Sequence, residues 1–174
     1  MKHLLDANVF IEAKNRYYSF EVCPGFWTWM DHVVAGGNVA SIVMVRDELL
    51  SGNDDLADWV DDRKKASWFL AQEDTQTQTH FARIAASLQA SQYTPAAVSQ
   101  FLSGADPWLV AKAKTIGAAV VTQEAHEPRC RARVPLPNIC TAESVPFVNT
   151  FELLHKLKVE FHFAPKVMPA RSPR

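Results

Sequence analysis

His3-Leu4-Leu5-Asp6-Ala7-Asn8-Val9-Phe10-Ile11-Glu12-Ala13-Lys14 is the stretch that decides the fold. His3-Leu4-Leu5 reads as a short buried strand, ended by Asp6. The next residues place Val9, Phe10 and Ala13 at helical spacing, so a helix starts at once. A strand that passes directly into a helix through a polar joint is half of a βαβ unit. The same arrangement recurs downstream. Val39-Ala40-Ser41-Ile42-Val43 reads as a second buried strand, with a short helix from Arg46 to Leu50. Ala118-Ala119-Val120-Val121-Thr122 is the clearest strand in the chain, and Trp68-Phe69-Leu70 and Pro137-Asn138-Ile139-Cys140 are read as shorter ones.

Helices fill the intervals. Pro24 suits a first helical position before the apolar face of Phe26, Trp27, Met30, Val33 and Val34, and Gly36-Gly37 stops that helix. Asp54–Lys65, Thr75–Gln92 and Pro95–Leu102 carry further helical patterns, and Phe151–Val159 forms the last. Asp106-Pro107-Trp108 reads as an N-cap acid followed by proline, opening a helix that runs to Gly117. Tyr17–Cys23 is aromatic and irregular. Strands alternating with helices predict an α/β fold, a three-layer α/β/α domain with a central parallel sheet of about five short strands. The domain is expected over residues 1–163, with a mobile tail of prolines and arginines over 164–174.

The chain has 174 residues, of which 48% are hydrophobic and 21% charged, enough to bury a core without metal or disulfide staples. Lys plus Arg total 18 against 19 Asp plus Glu, a net charge of −1. No global positive field draws in nucleic acid, so RNA or DNA would need a local basic patch or metal ions. Cys23, Cys130 and Cys140 stand far apart with no C-x-x-C, which predicts reduced thiols in a cytoplasmic protein. Asp6 interrupts the apolar start that a signal peptide needs, and no run approaches the roughly 18 apolar residues of a membrane span.

In parallel sheets of this kind ligands sit beyond the carboxyl ends of the strands. Asp6 and Glu124 directly follow two such strands, Glu48 lies a few residues after another, and Asp106 opens a helix. Each acid alone has a structural reading: Asp6 and Asp106 as helix caps, Glu48 as a solvated helix acid, Glu124 as a loop charge. Together they converge on one sheet edge if the sheet is parallel. Gathered carboxylates repel one another unless protonated or neutralised by a cation. Mg2+ and Mn2+ prefer oxygen ligands and can activate water against a phosphodiester, alone or as a pair about 4 Å apart.

Four segments in order resemble the motifs of the PIN-domain nucleases, and the small bacterial VapC-type toxins match best. Leu4-Leu5-Asp6-Ala7-Asn8-Val9-Phe10-Ile11 is similar to the opening motif, and Val45-Arg46-Asp47-Glu48-Leu49 to the second. Ala105-Asp106-Pro107-Trp108-Leu109-Val110-Ala111-Lys112-Ala113 resembles the third, and Val120-Val121-Thr122-Gln123-Glu124 the fourth. The likeness covers about residues 2–158. It implies a Mg2+- or Mn2+-dependent endoribonuclease, the toxin of a toxin–antitoxin pair, with a cognate antitoxin and a homodimer as partners. Asp6, Glu48, Asp106 and Glu124 are the implied catalytic and metal-binding residues. Asn8 and Thr122 would support them, and Arg129, Arg131 and Arg133 would bind RNA. Two departures stand out: Glu124 replaces the aspartate of many members, and Tyr17–Gly37 is rich in aromatics. They leave an alternative, a weak or inactive PIN-like module that binds RNA or protein. A phosphatase of the haloacid-dehalogenase type is disfavoured, because Asn8 stands where that family has a second aspartate.

Overall fold

Each strand of the sheet is short, and each is followed by a helix. The computed structural model describes residues 2–64 and 67–162. The order is β1 (His3–Leu5), α1 (Ala7–Glu12), a π-helical turn (Ala13–Tyr17), α2 (Pro24–Ala35), β2 (Val39–Ile42), α3 (Val43–Leu50), α4 (Asp55–Asp61) and β3 (Phe69–Leu70). Then come α5 (Thr75–Gln89), α6 (Pro95–Ser103), α7 (Asp106–Ile116), β4 (Ala119–Val121), α8 (Leu136–Ala142), β5 (Phe147–Val148) and α9 (Thr150–Lys156). The five strands form one sheet in the order β3-β2-β1-β4-β5, and every pairing is parallel. The α/β, three-layer expectation therefore holds. The tail expected at 164–174 lies outside the described residues.

The helices sort into two packed groups. Helices α1 and α4 lie against α3, while α5, α6 and α8 gather on α7. Helix α7 also packs on β1, β2 and β4. Its buried Ala111 and Ala113 have side chains small enough for close approach to the sheet, and Gly117 ends it at φ +65°, a left-handed cap that favours glycine. The first group is filled by aromatics: Phe10, Trp27, Trp59 and Trp68 meet ring against ring. Among the described residues no helix is long and apolar enough to cross a membrane, and Cys23, Cys130 and Cys140 are free thiols.

Several boundaries move. Pro137–Cys140 is not a strand but the body of α8; the fifth strand is Phe147–Val148. Pro135 and Pro137 occupy the cap and first turn of α8, where a missing N–H costs nothing. Helix α3 begins at Val43, directly on leaving β2, so Glu48 stands in its second turn rather than its first. The last helix is Thr150–Lys156, opened by a capping box between Asn149 and Glu152. The π-helical turn takes the first residue of the segment read as irregular.

One buried ion cluster ties the second group together. Glu143, just after α8, is buried; Lys114 of α7 donates to its Oε2 at 2.7 Å and to its carbonyl at 2.8 Å, and Arg83 of α5 pairs with the same carboxylate. Burial would raise this carboxyl, but the hydrogen bonds from Lys114 and Arg83 outweigh it and hold it below the ordinary value. Replacing Lys114 by Met leaves a buried anion with one partner. The expected loss is about 1–2 kcal/mol, less than for a wholly orphaned charge because Arg83 remains. Reversible urea unfolding measures it, and an unchanged midpoint would refute the assignment.

Candidate active site

The sheet order makes a switch point between β1 and β4: the chain winds outward from β1 to β3, then resumes at β4 on the other side of β1. At such a point the crevice beyond the strand ends is open to a ligand. Leu5 pairs with Val121 at the carboxyl ends of β1 and β4. The next residue on each strand is Asp6 and Thr122. The Thr122 hydroxyl donates to Asp6 Oδ2 at 2.8 Å, across the switch point, and the Asp6 N–H donates to the Val121 carbonyl at 3.0 Å. From the other side, the buried Ser41 hydroxyl of β2 donates to the Leu5 carbonyl at 2.5 Å. The end of β1 is thus held on both edges, and the Asp6 side chain with it.

Asp6, Glu48, Asp106 and Glu124 all line one cavity of about 260 Å3. Four acids from four separate segments therefore meet, as the parallel-sheet reading requires. Asn8 is beside them and donates weakly to Asp6 Oδ2 at 3.5 Å. The far wall is α6, which contributes Ala97, Gln100 and Phe101.

Asp54, Asp74, Thr94 and Asn149 each stand before a helix and accept backbone N–H bonds through the side chain. Asp6 also stands before a helix, yet its carboxylate makes no capping bond; the Asn8 N–H is near enough to ease its charge without closing one. Asp106 is not the cap of α7 at all. Ala105 is, and Asp106 occupies the first helical position with no hydrogen bond from its side chain among the described residues. These two carboxylates face the cavity instead of serving their helices.

Electrostatics follow from that placement. Asp6 is pushed up to about 6 by burial, with the Thr122 hydrogen bond opposing and Glu124 and Glu48 adding repulsion. Asp106 is pushed up to about 8, first by burial and then by Asp6, Glu124 and Glu48. The Glu48 carboxyl is raised by desolvation. Cys140 of α8 lies close enough to feel Asp106 and Asp6; burial and their charge push its thiol up to about 12, so it is an inert neighbour rather than a nucleophile.

Glu124 differs from the other three. Its Oε2 accepts from the Leu136 N–H at 3.1 Å, at the start of α8, and from Arg133 Nη1 at 3.0 Å. It thus fastens the 125–135 loop as well as lining the cavity. The loop is also pinned by Asn138, which accepts from the Glu127 N–H and donates to the Glu127 carbonyl and to Tyr93. The sequence pattern hides Asn138, because its segment reads as a strand, whereas Pro135 and Pro137 flanking Leu136 are the signal for a helix start.

Of the three arginines, only Arg133 reaches the cavity. Arg131 is turned to Gln92 and to the carbonyls of Pro128 and Cys130, and Arg129 is exposed on the loop. The cations of the π-helical turn after α1 and of α7 are engaged elsewhere: Lys14 with Asp54 and Asp55, Arg16 with Glu12, Lys112 with Asp74 and Lys114 with Glu143.

The donor set offered to a cation consists entirely of carboxylate oxygens, the chemistry of Mg2+ and Mn2+ rather than of zinc or copper. Asp106 and Glu48 have both oxygens free of hydrogen bonds among the described residues, and Asp6 and Glu124 each have one. By donor chemistry the residues fit a hard divalent ion. Among the described residues, no group of three or more His, Cys, Asp or Glu side chains is already arranged to hold one. No curated protein matches the chain. Residues 3–161 match the family described as a domain of unknown function, DUF4411. That match spans nearly the whole sequence, and the chain belongs to the DUF4411 family.

Proposed function

We propose that this protein is a Mg2+- or Mn2+-dependent endoribonuclease of PIN type. The observation that carries the reading is the pair Asp6 and Asp106. Both stand at helix starts, neither caps its helix, and both turn into one cavity at the switch point of a parallel sheet. Structural acids at such positions bond the backbone, as Asp54 and Asp74 do.

Asp6, Glu48, Asp106 and Glu124 would hold the ion. When bound, it supplies Lewis-acid activation of water and neutralises charge at the phosphodiester. The chain's own residues supply the rest. Thr122 fixes the rotamer of Asp6, Asn8 adds a second, weaker donor to the same oxygen, and the buried Leu5–Val121 register keeps both strand ends aligned. Arg133 provides a guanidinium at the cavity mouth, suited to a phosphate oxygen. A toxin role with a cognate antitoxin, a homodimer and a cytoplasmic location belong to the same reading.

The test is turnover. Purified protein with Mn2+ is expected to cut single-stranded RNA, leaving 5′-phosphate and 3′-hydroxyl ends, and chelation is expected to stop it. Intact RNA after prolonged incubation with Mn2+ or Mg2+ would reject catalysis. A second reading, a non-catalytic PIN-like module, is favoured by the bond between Arg133 and Glu124, which neutralises one of the four acids. It predicts RNA or partner binding without any cleavage in that assay.

A further inference from the structure

Arg133 is bound where a metal-dependent cleft would least need it. Its Nη1 donates to Glu124 Oε2 at 3.0 Å, and its Nη2 pairs with Glu127, outside the cavity. The side chain is 47% exposed, so it can swing without unpacking anything. The Leu136 N–H donates to the same Oε2, so Glu124 keeps a partner when the guanidinium leaves. The loop carrying Arg133 is anchored at both shoulders, through Asn138 and through the Thr94 N–H donating to the Arg131 carbonyl. The backbone therefore stays in place while the guanidinium is free to change partners. No other arginine or lysine lines this cavity among the described residues.

We propose that Arg133 is an exchangeable counter-ion for the acidic cleft. It neutralises Glu124 while the cleft lacks a divalent cation, and turns to a phosphate of the RNA backbone once a cation takes over that carboxylate. The inference rests on the metal-dependent nuclease reading. It adds the order of events: the metal and Arg133 compete for Glu124, whereas Arg133 and RNA cooperate. Repulsion between a guanidinium and a divalent ion held on the same carboxylate sets the two against each other. Arginine suits both partners, since its planar fork matches carboxylate and phosphate alike. A purely structural latch on the loop would lack this dual behaviour.

The experiment uses the full chain, as wild type, Arg133→Gln and Arg133→Lys. Two quantities are read without turnover: Mn2+ affinity by calorimetry with no RNA present, and affinity for a fluorescein-labelled oligouridylate 12-mer in Ca2+. Arg133→Gln is expected to tighten Mn2+ binding about 5–10-fold and weaken oligouridylate about 5–10-fold, lowering the salt slope by about one. Arg133→Lys, which keeps the charge but loses the fork, is expected to fall between the two proteins in both measurements. Unchanged or weaker Mn2+ binding by a folded Arg133→Gln protein overturns the proposal. So does a parallel loss of both affinities, which marks a structural latch. If the wild type binds no Mn2+ at all, the underlying metal reading fails, and the proposal falls with it for that separate reason.

Discussion

Asp6→Asn is expected to lower the rate of RNA cleavage by a factor on the order of 10²–10³ or more while leaving the protein folded. Asp6 is buried just past the carboxyl end of β1, beside the paired end of β4, where the fold holds its side chain in one place. Asparagine has the same shape, and its carbonyl oxygen can still accept from the Thr122 hydroxyl. What disappears is the charge. A neutral amide is a poor ligand for a hard divalent ion, and the remaining acids cannot close around the gap without moving their helices. The same change removes a buried anion repelled by Glu124 and Glu48, so the metal-free variant should melt no lower than the wild type at neutral pH. This combination discriminates: a structural acid would lose stability on substitution, and a functional one loses only turnover. Cleavage within threefold of wild type, or a large drop in melting temperature in the metal-free state, would remove Asp6 from the proposed mechanism.

The legible parts of the sequence were those where two independent signals agreed. Leu4-Leu5-Asp6 and Val120-Val121-Thr122 combine an apolar strand with a polar exit, and both strands stand where they were expected. The all-parallel order followed from alternation of strands and helices. The convergence of four acids then followed from the rule that ligands lie beyond the strand ends. Misreadings came where one residue type serves two structures. Pro137 reads as the start of a strand, yet proline is equally suited to a first helical turn, and Pro135 two positions earlier sets the cap of α8. The true β5 is two residues long and follows Pro146, too short for any periodicity to register. Val43 is β-branched and reads as the last residue of β2, although it opens α3, and helices accept such residues as well. Asp106 illustrates a subtler limit. Asp-Pro reads as cap and first residue, but the helix starts at the aspartate itself, a one-residue shift that frees its carboxylate for the cavity. Which arginine reaches the site was not legible, because that depends on how the 125–135 loop is pinned by Asn138, and no local pattern encodes it.

The acidic cleft should also set how stability varies with pH. Asp106 is raised from 3.8 to about 8 and Asp6 from 3.8 to about 6. A carboxyl whose pKa rises on folding favours the fold while protonated and loses that contribution as pH climbs from the unfolded value to the folded one. For Asp106 the window is therefore roughly pH 4 to 8, and for Asp6 roughly pH 4 to 6. His3, buried in β1 and lowered by that burial, contributes in the opposite sense below its ordinary value, so absolute slopes mix the two. Comparison with Asp106→Asn isolates the cleft. Without metal, wild type should lose stability relative to this variant at about 1 kcal/mol per pH unit between pH 5 and 8, near 3 kcal/mol in all. Mn2+ should reverse the trend in wild type alone. At a hundred times its Kd a bound ligand stabilises by about 2.7 kcal/mol, and the gain should grow with pH as the acids ionise. Urea titrations at pH 5, 6.5 and 8, with and without Mn2+, read both effects. Parallel curves for the two proteins in the metal-free state would mean that Asp106 is neither desolvated in the cavity nor repelled there by Asp6, Glu124 and Glu48. The four acids would then not form a single electrostatic unit, and the case for a shared cation would lose its physical basis.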